Sequence, residues 1–114
     1  MKLKLSEIIE KCSLEKVVFC SDDEIKTGYT GDLMSDVIAN ATNNSIWITI
    51  QAHKNSIAVA LIKDIPAIIF ANKVPISPEV IKKAKEENIS IFHTPKNSFI
   101  ISGEIYSLLE GKAE

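Results

Sequence analysis

The chain contains no arginine: all thirteen of its basic residues are lysine, set against fifteen carboxylates for a formal charge of −2. Without the planar guanidinium fork there is no bidentate grip on phosphate or guanine. The lysines are also scattered among Asp and Glu, so neither nucleic acid nor a membrane surface is an expected partner. Cysteine is scarce too. Cys12 and Cys20 lack CxxC spacing, which points to buried free thiols rather than a disulfide or a metal pair. No stretch approaches about eighteen uninterrupted apolar residues, and the opening MKLKLSEIIEK lacks the apolar core of a signal peptide, so a soluble, cytoplasmic chain is expected. Neither a GxxxxGKS/T nor a GxGxxG loop occurs, which leaves nucleotide-driven catalysis without a phosphate cradle.

What is present suits one domain spanning residues 1–114. With 46% apolar and 25% charged residues, such a chain can bury roughly two thirds of its unfolded surface. Ser6 is placed to cap a first helix over 7–12. Lys16 to Cys20 reads as a strand, Ser21 to Glu24 as a polar turn, and Ile25 to Tyr29 as a short extended piece. The stretch TGYTGDLMSDVIANA brings a glycine-bearing loop into an amphipathic helix from Asp32 or Leu33 to Ala41. Leu33, Met34, Val37, Ile38 and Ala41 form its apolar arc, Asp32 is its capping acceptor, and Gly28 and Gly31 supply positive φ or close approach.

Ile46 to Gln51 is the strongest strand, with Ile46, Ile48 and Ile50 alternating against Trp47, Thr49 and Gln51. Asn55 or Ser56 caps the helix that follows, and Pro66 stops it. Ala67 to Phe70 is a short buried strand. Ser77, Pro78 and Glu79 open a helix that ends at a left-handed Asn88. Ile89 to Phe92 is another strand. Ser98 to Leu109 is a last helix ended by Gly111, with Gly103 as a weak point inside it. Helices and apolar strands alternate throughout, the pattern of an α/β fold: a mostly parallel sheet of four to five strands flanked by helices on both faces.

Polar side chains follow the strands: Asp22 and Asp23, then Gln51 and His53, then Asn72 and Lys73, then His93 and Thr94. In an open parallel sheet, ligands sit outside the C-terminal strand edge, and that edge is the expected binding site. The glycines beside the helix entry can hold an anion on backbone N–H groups, or the loop can be a plain cap whose Asp32 and Asp36 repel anions. His53 and His93 could share a metal with Asp22 or Cys20, but lone strand-end histidines are more often loop residues, and no metal site is expected. Asp32 and Asp36 face one way on a helix as an acid/base pair would, yet no catalytic residue is assigned.

The segments TGYTGDLMSDVIANA, WITIQAHKN followed by AVA, AIIF, and HTP with SFIISGEIYSLLEG resemble a stand-alone DRTGG domain over nearly the whole chain. At the namesake position stand Ile25, Lys26, Thr27, Gly28 and Tyr29, of which Thr27 and Gly28 match. The resemblance implies an α/β fold similar to the N-terminal domain of HPr kinase. It also implies a regulatory or interaction module of the kind found beside CBS domains in some pyrophosphatases and in certain phosphate acetyltransferases, often paired as dimers. It supplies no cofactor and no established catalytic residue. Small stand-alone members occur in anaerobic bacteria, so a fermentative or hydrogenase-related partner protein is a further implication.

The resulting expectation is a non-catalytic, homodimeric regulatory domain that binds a small metabolite or adenine nucleotide through Thr27, Gly28, Gly31, Asp32, Gln51, His53, His93 and Thr94. The alternatives are a protein-interaction module using exposed Trp47, Tyr29 and the Ile-rich helices, and a small enzyme using Asp32, Asp36 or His53.

Overall fold

The strand with the most regular alternation lies inside the sheet, one place in from its edge. In the computed structural model, which describes residues 3–113, β5 (Ser45–Thr49) is buried at every position. It pairs in parallel with β6 (Ala67–Phe70) on one side and β4 (Thr27–Thr30) on the other, and β6 pairs in parallel with β7 (Ser90–His93). An edge strand, β2 (Glu15–Val18), completes the order β2-β7-β6-β5-β4. The α/β class, the mostly parallel sheet and the flanking helices are as the sequence pattern predicts.

Period-two alternation divides the core in two. Ile46, Ile48, Ala67, Ile69 and Phe92 face one layer. Trp47, Ile68, Phe70 and Ile91 face the other. Burying one such side chain contributes roughly 1.5–3 kcal/mol, so each layer is held by several independent anchors. The second layer holds all three helices that join successive parallel strands: α2 (Met34–Asn40), α3 (Lys54–Ile62) and α4 (Pro78–Glu86). The first layer holds α1 (Leu5–Cys12), α5 (Ser98–Ala113) and a small antiparallel ribbon of β1 (Leu3–Lys4) and β3 (Glu24–Ile25). Leu3 and Ile25 of that ribbon are buried, which the sequence pattern does not reveal.

Several local expectations are corrected. The first strand runs antiparallel to β7, with Glu15 opposite His93, so Asp22 and Asp23 do not belong to the C-terminal edge shared by β4 to β7. Cys20 has left the sheet and is exposed; only Cys12 is buried. Ser6 is no cap. It lies in the first turn of α1, where its N–H and Oγ donate to the Asp22 carboxylate at 2.8 and 2.9 Å, while Glu7 accepts from the Lys4 N–H. Those bonds hold the Asp22 carboxyl below the usual carboxylate range, the main-chain donor acting most strongly.

The α2 helix is only two turns long and buries Val37, with Ala41 behind it; Leu33 and Ile38 are 67% and 42% exposed. The α3 cap is His53, whose Nδ1 accepts from the Asn55 N–H at 3.0 Å. Gly111 does not end α5, which continues to Ala113. Trp47 is fully buried, which removes the exposed-tryptophan interface. Among the described residues no helix is long and apolar enough to cross a membrane, and no three His, Cys, Asp or Glu side chains cluster as a metal site.

Candidate functional site

The corners after β4 and β5 are neighbours, as parallel pairing requires, and they are closed by their own hydrogen bonds. Gly31 donates its N–H to the Ile48 carbonyl. Asp32 does not cap α2. One of its carboxylate oxygens accepts from both the Thr49 hydroxyl and the Ile50 N–H at 2.9 Å. The Gly31 carbonyl is taken by the Trp47 indole N–H at 2.8 Å. Gln51 contributes its carbonyl, which accepts from the Ser56 hydroxyl and from the His53 N–H. Thus Gly31, Asp32, Gln51 and His53 are brought together, and the contacts they make tie β4, β5 and α3 to one another.

Neither glycine in this region uses positive φ. A Cβ on Gly31 would come within 3.3 Å of the Asp36 carboxylate, which would have to give way by a few tenths of an ångström. That carboxylate accepts the Tyr29 hydroxyl at 2.6 Å, and this bond pushes the Tyr29 phenol above its usual range. Asn40 donates to the other oxygen. Asp36 is therefore part of a Tyr-Asp-Asn chain, apart from Asp32. His93 and Thr94 lie at the far side of the sheet. The His93 ring is bonded to the Val74 carbonyl at 2.7 Å and to Glu15, and the Thr94 main chain bridges Phe70 and Lys73.

The open space is elsewhere. A groove of about 540 Å³ runs between β4 and α5 and includes Thr27 and Gly28 of the expected residues. Its origin is visible in the side-chain register. The Tyr29 side chain points to α2, whereas Thr30 shares a 2.6 Å hydrogen bond with Ser102 of α5. Alternation then turns Gly28 toward α5 as well, where it has no side chain to offer. Across from it, a Cβ on Gly103 would meet nothing within 4 Å. Two absent side chains, one on the strand and one on the helix, make the hollow. Ile48 and Ile105 form its floor, and Phe99 and Tyr106, 84% and 66% exposed, stand along its helical wall. Lys26 and Glu110 are at its foot.

The helical wall is anchored from behind. Ile101 and Ile105 pack with Ile8 and Cys12 of α1, and the Lys96 ammonium joins the Cys12 carbonyl to the Glu104 carboxylate, at 3.0 and 2.7 Å. Burial, with Glu104 adding to it, pushes the Cys12 thiol up to about 11, so it is inert at neutral pH. The missed residues are Phe99, Ser102, Gly103 and Tyr106. Their signal was a glycine in mid-helix flanked by aromatics, on a helix whose apolar residues are not confined to one face.

Residues 48–109, more than half of the chain, match the family model described as HPr Serine kinase N terminus. The chain belongs to the HPr serine kinase N-terminal family. The family match begins within β5 and ends within α5, so it contains the floor and the helical wall of the groove. Among solved structures, the chain is similar to the CBS and DRTGG domains of the regulatory region of Clostridium perfringens pyrophosphatase, complexed with its activator, diadenosine tetraphosphate. The TM-score is 0.71 at 22% identity, over 89% of this chain and 45% of that one. This HPr serine kinase N-terminal domain is thus of the DRTGG type, as the sequence resemblance indicated. It spans less than half of the similar solved chain. No curated protein sequence matches it.

Proposed function

We propose that the chain acts as a single non-catalytic regulatory domain, a cytoplasmic homodimer that senses a small metabolite in the groove between β4 and α5. The carrying observation is the paired absence of side chains at Gly28 and Gly103, which opens a cleft of ligand size beneath two exposed aromatic rings. Thr27 and Gly28 contact the ligand in this reading. Gly31, Asp32, Gln51 and His53 fix the end of β4 above it, and His93 and Thr94 hold the far edge of the same sheet.

The fold shared with a pyrophosphatase regulatory region supports a sensing role. It makes adenine nucleotides, diadenosine tetraphosphate included, the first ligands to test. Thermal unfolding across nucleotides and acyl phosphates checks the reading: a ligand at a hundredfold its Kd stabilises by about 2.7 kcal/mol. Loss of that stabilisation in Gly103→Leu would locate binding in the groove. Silence across the whole metabolite panel would count against a sensor.

A second reading is a protein-interaction module, a fermentative or hydrogenase-related protein being the partner. Exposed Leu33, Ile38, Leu61 and Ile62 on the α2 and α3 side favour it. A stable dimer in sedimentation, with no ligand response, would decide for this second reading.

A further inference from the structure

The ladder of β4 ends in open hydrogen-bonding groups, and their direction follows from the bonds on either side of β5. Thr49 gives its carbonyl to Ala71 on the β6 side, whereas Ile48 gives its carbonyl to Gly31 on the β4 side. Alternation then turns Tyr29 and Gly31 toward β5, and Gly28 and Thr30 outward, where among the described residues no further strand pairs. The N–H and C=O of Gly28 therefore face solvent at the groove. A residue placed opposite Gly28 in antiparallel fashion would exchange both bonds with it, and its side chain would fall on the same face as the missing side chain of Gly28. That face is the hollow beneath Gly103.

Charge completes the description. Ser102 meets Thr30 at one end of the groove. Over the roughly 12–13 Å that eight helical or four strand residues cover, the two elements reach Glu110 and Lys26 at the other end. Both charges line the groove, and among the described residues neither has an ion-pair partner. One free cation and one free anion beside an exposed N–H and C=O complement a zwitterion. With no arginine in the chain and, among the described residues, a single lysine at the groove, they complement a polyphosphate poorly.

The geometry points to a free α-amino acid with a large apolar or aromatic side chain as the ligand of this groove, an inference that rests on the sensing role proposed above. Its carboxylate takes the Gly28 N–H and the Lys26 ammonium. Its ammonium donates to the Gly28 carbonyl and the Glu110 carboxylate. Its side chain fills the space between Gly28 and Gly103, against Ile105 and under Tyr106.

The test is titration calorimetry of the full chain with L-leucine, L-phenylalanine and L-tryptophan. Phenethylamine, 3-phenylpropionate and phenylalanine amide each lack one charge. Gly28→Val fills the groove from the strand side with a residue suited to a strand, and circular dichroism reports its folding; Gly103→Leu fills it from the helix if the strand variant does not fold. The expected result is binding of at least one amino acid, at least tenfold weaker binding of all three analogues, and none to a folded groove-filling variant. The double swap Lys26→Glu with Glu110→Lys should retain more affinity than either single change.

Equal binding of phenethylamine or 3-phenylpropionate would overturn the inference, and so would equal binding of the amide, which would indicate a peptide terminus instead. Failure of all three amino acids overturns it as well. If a nucleotide or acyl phosphate then binds and the filled groove abolishes it, the sensing role stands and only the ligand class falls. If nothing in either panel binds, both fall.

Discussion

Two regions of this molecule lie next to each other along β4 and differ in kind. The corner at its C-terminal end is rich in polar groups, many of them spent on holding it together: Asp32, Thr49, His53 and Ser56 through their side chains and Gln51 through its carbonyl. The groove along its outer edge has few polar side chains, and it is open, because Gly28 and Gly103 place nothing there. Polar groups spent on one another have less of their capacity left for a ligand. An exposed hollow beside an unpaired strand edge has capacity by construction.

That contrast can be broken most severely at Asp32. Asp32→Ala leaves the buried Thr49 hydroxyl and the Ile50 N–H without their shared acceptor. The expected cost is about 2–3 kcal/mol in urea denaturation. A loss under 0.5 kcal/mol would mean that the corner is not the fastening described. His53→Ala removes one capping acceptor from α3 and should cost about 1 kcal/mol by the same measurement.

On the groove side the sign reverses. Gly103→Ala replaces an unencumbered mid-helix glycine and should stabilise the protein by about 0.5–1 kcal/mol in the absence of ligand, while narrowing the cleft. The smallest effect is a pH dependence. The folded Asp22 carboxyl titrates below the ordinary aspartate range, so its contribution is complete above that range and is lost as pH falls through the lowered value. Asp22 clamps α1, which backs α5. Hydrogen exchange on acidification should therefore loosen α1 and the groove wall before the β4–β5 corner, and Asp22→Asn should erase that difference.

The parts of the fold legible in the sequence are those set by neighbours in the chain. Ala67–Phe70 and the Ser77-Pro78 helix start stand where the sequence puts them, because a buried run between breakers and a serine-proline cap are local signals. Ser6 misleads because its partner is Asp22, sixteen residues away. The direction of β2 is illegible for a related reason: alternation of helix and strand counts elements without orienting them. The groove is harder still. Gly28 reads as a loop glycine near a helix entry and Gly103 as a helix defect, and only the packing of α5 on the edge strand makes them one feature. The polar corner was legible as a cluster, but not as one braced by its own hydrogen bonds, since such bonds depend on distances.

The placement of α5 has a mechanical consequence. The helix departs from the end of β7 and comes to rest on β4, strapping the last strand of the parallel run to the first. A molecule wedged under that strap would tighten it, and the tension would reach every strand enclosed between the two ends. Occupancy beside β4 would thereby be felt as far as β7, the neighbour of the opposite rim, without any hinge or moving lid.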